Sequence, residues 1–169
     1  MENFKDIRVE DIIGNPFEMI GKDWMLVTAE KGGKVNAMTA SWGGLGIMWN
    51  KKVAYVFIRP QRYTKEFIDA ADTFSLSFYD ERYRKTLSYL GTVSGRDEEK
   101  IEKSGLTKES YENTPYFKEA NLVLICKKLY AQEYNPEGFI DKTLDKTNYP
   151  DKDYHTMYIV EITNALIKE

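Results

Sequence analysis

The chain has 169 residues, with 24 Lys and Arg against 27 Asp and Glu, a net charge of −3, and a hydrophobic share of 42%. This is the size and make-up of one globular domain with a sizeable core, and the acidic balance removes any electrostatic case for nucleic-acid or membrane binding. One cysteine, Cys126, excludes an intramolecular disulfide and dithiol chemistry; with no leader pattern and no apolar run of bilayer length, a cytoplasmic protein is expected.

Residues 1–20 carry scattered apolar side chains broken by Gly14, Asn15 and Pro16, which reads as an irregular or briefly helical arm on the body. Trp24 to Glu30 is rich in β-branched and aromatic residues, as a strand requires. Gly32 and Gly33 offer a hairpin turn, and Lys34 to Ala40 returns as the partner strand. Residues 41–50, with Gly43, Gly44 and Gly46, read as a loop. Val53 to Ile58 is continuously apolar, so a central strand is expected there, ended by Pro60.

Thr64 to Ala71 reads as a short helix with Thr64 as N-cap and Tyr63 stapled to Ile68. Phe74 to Tyr79 alternates with the period of a strand. Glu81 to Leu90 places Tyr83, Leu87 and Leu90 on one helical stripe. Ser94 and Asp97 have the spacing of a capping box, and Gly105 is placed to close the helix that follows. Residues 106–120 show little periodicity and are taken as loop. Asn121 to Tyr134 is a long strand, 135–150 a polar surface excursion, and Tyr154 to Ile167 a closing strand. About six strands that do not alternate with helices imply a single mainly β domain over 1–169, an antiparallel barrel with helical insertions.

The side chains available for chemistry are few. One histidine and one cysteine far apart in sequence argue against a multi-ligand His/Cys zinc site, so no metal is expected, and no nucleophile elbow, phosphate-binding loop motif or dinucleotide fingerprint occurs. A chain without reactive groups of its own must bring in a cofactor for hard chemistry. Three segments are candidates. Asn36 to Trp42 combines small and hydroxyl residues with a following glycine pair, which allows close approach of a ligand to backbone; the plain alternative is an ordinary strand end. Arg59, Gln61, Arg62, Tyr63 and Thr64 offer guanidinium forks and a helix start for a phosphate; the plain alternative is a surface arginine pair and a cap. Ser94, Gly95, Arg96 and Lys100 add further positive charge, with a simple capping box as the alternative.

N-A-M-T-A-S-W-G-G at 36–44, R-P-Q-R-Y-T at 59–64 and S-G-R-D-E-E-K at 94–100 appear in that order. Together they resemble the flavin reductase-like family of FMN-binding split barrels, and within it the flavoredoxin-type members. The resemblance extends from about Gly21 to the C-terminal residue. It implies an antiparallel Greek-key split barrel and a homodimer with FMN at the interface. It also implies passage of electrons through FMN, with NADH or NADPH as reductant or, alternatively, a redox protein partner and no nicotinamide turnover.

By the same resemblance, Asn36, Ala37, Met38, Thr39, Ala40, Ser41 and Trp42 run along the flavin ring and ribityl chain. Arg62 and Thr64 take the phosphate, with Gln61 and Tyr63 beside them, and Arg59 lies along the ribityl chain. Ser94, Gly95, Arg96 and Lys100 lie near the flavin, with Arg96 or Lys100 either at the phosphate or at the pyrimidine edge of the ring. His155 is a weaker candidate on the substrate side. No residue is expected to be catalytic in its own right.

Overall fold

The computed structural model describes residues 4–169, so residues 1–3 of the expected arm lie outside the described residues. The chain runs β1 (Phe4–Ile7), α1 (Pro16–Gly21), β2 (Met25–Lys31), β3 (Lys34–Ala40), β4 (Gly43–Met48), β5 (Lys51–Ile58), α2 (Thr64–Ala70), β6 (Thr73–Phe78) and α3 (Arg84–Thr92). It continues as α4 (Lys100–Ser104), β7 (Lys108–Tyr111), β8 (Thr114–Phe117), β9 (Leu122–Glu133), α5 (Lys142–Asn148) and β10 (Thr156–Lys168).

Eight strands form one antiparallel sheet in the order β3-β2-β6-β9-β10-β5-β4, with β1 added to β10. The sheet has the split-barrel form, and its two end strands, β3 and β4, are consecutive in sequence and do not pair with each other. β10 is its spine. It pairs with β9 along nearly its whole length, with β5 through residues 156–161 and with β1 through 165–168. Register shifts beside Val160 and Asn164 mark bulges, which bend a strand and increase its twist, as a sheet that coils on itself requires.

Alternation along the strands sorts side chains onto two faces. One face, with Met38, Ala40, Val56, Ile58, Leu76 and Val160, packs with Phe67 and Ile68 of α2 into the larger core. The other face, with Leu26, Ala37, Val123 and Leu166, is covered by Leu87 and Leu90 of α3 and by Tyr116 and Phe117 of β8.

Several expectations are corrected. The stretch expected as a loop at 41–50 contains β4. Its glycines are no obstacle to a strand because the ring of Tyr55 lies across them: a Cβ at Gly44 or Gly46 would sit 3.6 or 3.4 Å from that ring. Residues 106–120 fold as the β7–β8 hairpin, turned by Glu112 and Asn113 in positive φ. The excursion at 135–150 carries α5, capped by the Asp141 carboxylate on the Thr143 amide. The N-terminal arm contributes β1 as well as the brief helix α1, which Asn15 caps with Pro16 in the first turn. Thr64 is the first helical residue and not the cap, and Tyr63 packs against the core cluster that holds Ile68, edge-on to Phe67 with ring centroids 4.9 Å apart.

Candidate functional site

Where β3 leaves the sheet and turns toward β4, a cleft of about 250 Å³ opens. Met38, Thr39, Ala40, Ser41 and Trp42 form one wall; Phe57, Arg59, Arg62 and His155 complete it. Each is placed by an element already described. The β3 residues line up because the strand ends there. Phe57 near the end of β5 and Arg59 just past it fall on one side by the two-residue period, while Val56 and Ile58 point into the core. His155 immediately precedes β10.

The two arginines differ in how they are held. Arg59 Nη1 bonds Asp153 Oδ2 at 2.6 Å, Nη2 donates to the Asn148 carbonyl at 3.0 Å, and the guanidinium lies 5.0 Å from the Tyr149 ring centroid. Asp153 also accepts from Gln61 Nε2 at 2.7 Å, and these two donors hold its carboxyl below the usual carboxylate range. The charge of Arg59 is therefore matched.

Arg62 has no carboxylate partner among the described residues. Its Nη1 donates to the Gly91 carbonyl at 2.8 Å. Behind it Lys100 is buried at 3% exposure and donates to the carbonyls of Leu90 and Val93, both at 2.8 Å. Burial first, and the neighbouring Arg62 second, push the Lys100 ammonium down to about 8. Both cations meet the C-terminal end of α3. A helix terminus supplies only about half a negative charge, so most of the charge of the two cations, Arg62 on the cleft wall and Lys100 buried behind it, remains unmatched. A buried charge without a partner is costly, and an anion in the cleft would relieve that cost.

A second layer fixes the first. Asn36 is buried and its Nδ2 donates to Thr64 Oγ1 at 3.0 Å. Gly95 packs on this pair so closely that a Cβ there would stand 2.5 Å from Asn36 Oδ1. Thr39 Oγ1 donates to the Leu87 carbonyl at 2.6 Å, which docks β3 on α3. Asn36, Ala37, Thr64 and Gly95 therefore support the cleft without lining it.

Tyr63, Gln61, Ser94 and Arg96 lie on the adjoining surface. Arg96 sits 4.7 Å from the Tyr63 ring centroid, bonds Glu66 Oε1 at 2.5 Å and donates to the Gln61 carbonyl at 3.1 Å. Ser94 Oγ accepts from the Arg96 amide at 3.1 Å. This is a local turn, not the expected capping box, because α4 starts only at Lys100, with Glu99 in the cap position. Gly105 does close α4, in the left-handed conformation at φ 72°.

His155 is 7% exposed; its Nδ1 is 2.7 Å from the Tyr149 hydroxyl and its ring 5.2 Å from that of Trp42. Burial, and then Arg59, lower its pKa to about 4, so the imidazole is neutral at pH 7. Beyond Trp42 and Phe57 lies a larger pocket of about 530 Å³, walled by Tyr134, Phe139, Leu144, Tyr149 and Met157. Sequence reasoning missed both Phe57 and this pocket. The period-two relation of Phe57 to Arg59 was a usable signal for the first.

No group of residues suited to a metal ion occurs among the described residues. Cys126 is fully buried, and burial raises its thiol pKa well above the ordinary range, so it is inert packing. The cleft thus joins short side chains of the β3 end to an arginine that has no carboxylate partner among the described residues.

No curated protein matches the chain. Solved structures do. An FMN-binding domain of a flavin reductases-like enzyme from Shewanella baltica OS155 aligns with a TM-score of 0.72 at 17% identity, covering 98% of this chain and 78% of that one. Flavoredoxin from Methanosarcina acetivorans aligns with a TM-score of 0.68 at 26% identity, covering 87% and 69%. Flavoredoxin of Desulfovibrio vulgaris (Miyazaki F) gives 0.66 at 23%, covering 86% and 69%. The model of the flavin reductase like domain matches residues 19–169, and the chain belongs to the flavin reductase-like family.

Proposed function

We propose that the chain binds FMN in the β3 cleft and works as an oxidoreductase that takes electrons from NADH or NADPH. The observation that carries the reading is Arg62, without a carboxylate partner among the described residues and backed by the buried Lys100, on a cleft whose wall includes the short side chains of Thr39, Ala40 and Ser41. FMN fits that arrangement, because its phosphate is a dianion at one end and its ring is flat at the other. When bound, it supplies the hydride and electron chemistry that the protein's own side chains lack.

The protein's part is binding and placement. Arg62 offers its remaining donors to the phosphate, and Lys100 adds charge from behind. Arg59, fixed by Asp153, keeps its orientation whether or not a ligand is present. Ala40 leaves room for a ring. Trp42 and the neutral His155 close the cleft on the side of the aromatic pocket and limit water there.

The reading includes a homodimer. Ile47 near the end of β4 and Trp49 just after it are 67% and 55% exposed, and exposed apolar surface of this kind supports an interaction site. It also includes a cytoplasmic place of action; no helix of the described residues is long and apolar enough to cross a membrane.

Flavoredoxin of Methanosarcina acetivorans, at 26% identity, favours a second reading, electron transfer between protein partners without nicotinamide turnover. Anaerobic mixing of FMN-loaded protein with NADH and with NADPH separates the two. Bleaching of the flavin band near ~450 nm within seconds supports the first, and an unchanged band supports the second. A purified protein that shows no saturable FMN binding removes both. Light scattering that gives a single-chain mass with FMN bound removes the dimer.

A further inference from the structure

We propose that the aromatic pocket beyond Trp42 and Phe57 is a second ligand site, for an uncharged, flat aromatic molecule bearing a carbonyl group. Its volume of about 530 Å³ falls within the range of small-molecule sites, about 300–1,000 Å³.

The walls select for flatness. Tyr134 stands 5.9 Å from Phe57, 6.1 Å from Phe139 and 6.3 Å from Tyr149, centroid to centroid, with rings tilted or edge-on. These rings line the pocket together, so a ligand inside it meets aromatic surface that favours stacked or edge-on contact with a flat ring. The Met157 thioether adds a polarisable contact.

The charges select for neutrality. Among the described residues lining the pocket, Glu133 is the only charged one. Arg59 stacks on Tyr149, but Asp153 already neutralises it. An anionic ligand would meet a carboxylate and no free cation, the reverse of the Arg62 and Lys100 side of the neighbouring cleft. The two compartments therefore divide their ligands by charge.

Several donors line the pocket, the Trp42 indole and the Gln132 and Asn135 amides among them, and Tyr134 stands at the centre of its ring cluster. The Tyr134 hydroxyl makes no hydrogen bond to the described residues, and burial raises its pKa, so it stays protonated. A carbonyl oxygen is a fitting acceptor for it. Position supplies the functional sense. Trp42 and Phe57 line both compartments, so a ligand here would rest against the same two side chains as one in the cleft. Tyr149 joins them as well, with its ring in the pocket and its hydroxyl on His155. The inference extends the FMN reading by naming the class of a second molecule, yet it can be tested apart from it.

The test is equilibrium dialysis of the protein, as purified and after FMN loading, against 2-acetonaphthone and its anionic counterpart 2-naphthoate. The ketone should bind at one equivalent per chain, and the carboxylate at least tenfold more weakly. Leu144, half exposed on α5, tolerates a charge without unfolding. Leu144→Glu should weaken ketone binding at least fivefold and leave FMN titration unchanged. Tyr134→Phe should weaken it two- to fivefold. Equal binding of ketone and carboxylate, or ketone binding indifferent to both substitutions, overturns the proposal. So does absent ketone binding in protein that still takes up FMN, an outcome that leaves the FMN reading standing.

Discussion

Arg62 and Lys100 donate to adjacent carbonyls at the end of α3, those of Gly91 and Leu90, each at 2.8 Å. Two full positive charges converge on one helix terminus, and only one of them, Lys100, can shed its proton near neutrality. The cleft thus has an acid–base property of its own. With its pKa near 8, against an ordinary 10.5, Lys100 binds fewer protons in the folded than in the unfolded chain between those values. Stability of the flavin-free protein should rise with pH across that window. Phosphate binding, which favours the charged ammonium, should weaken over the same rise. FMN titrations at pH 7.5 and 9, beside urea unfolding at the same pH values, should show these opposite slopes. Lys100→Met should flatten both.

Arg62→Ala removes the cation nearest the cleft. Loss of a charge-assisted hydrogen bond costs roughly 1.5–3 kcal/mol, about ten- to a hundredfold in FMN affinity. Riboflavin has no phosphate and should bind the variant about as well as the parent. Fluorescence titration with both ligands checks this, and an equal loss for both would detach Arg62 from the phosphate.

Gly95→Ala places a methyl group 2.5 Å from Asn36 Oδ1 and 3.1 Å from Tyr63 Cδ1. Overpacking of this kind costs about 1–3 kcal/mol, and the Asn36–Thr64 bond behind the cleft should be strained. Thermal unfolding should show a lower Tm, and FMN affinity should fall with it. Asn36→Ala should cost less in the Gly95→Ala background than alone, because the two side chains collide.

His155 titrates near 4 in the folded protein, against 6.5 ordinarily. The unfolded chain therefore takes up this proton first. The stability contribution is fully present above pH 6.5 and is lost as pH falls toward 4, up to about 3 kcal/mol. Urea unfolding at pH 7 and pH 4.5 should register it, and His155→Gln should remove that part of the loss.

The strands that bury apolar side chains on a regular period were legible in the sequence: β2, β3, β5, β6, β9 and β10. So were the short residues of β3 and the arginines of the cleft. What escaped notice depends on partners distant in sequence. β4 looks like a glycine loop until Tyr55 is laid across it. The β7–β8 turn uses Glu112 at positive φ, a residue that seldom signals such a turn. Thr64 looks like a helix cap, but its hydroxyl is engaged by Asn36, 28 positions earlier. Lys100 is readable as a cation, but not as a buried one. The aromatic pocket is assembled from Trp42, β5, β9, the polar excursion and β10, and no local pattern joins them.

β10 pairs with β9, β5 and β1, and His155 immediately precedes it. During synthesis from the N-terminus, β5 and β1 emerge long before the strand that they flank, and they must wait with open edges. Contacts of such long sequence separation slow folding, and waiting edges invite pairing between chains. A ribosome-bound chain lacking residues 155–168 would hold β3 and both arginines yet have no complete cleft. Closure of the cleft on this chain must thus wait until β10 has joined the sheet.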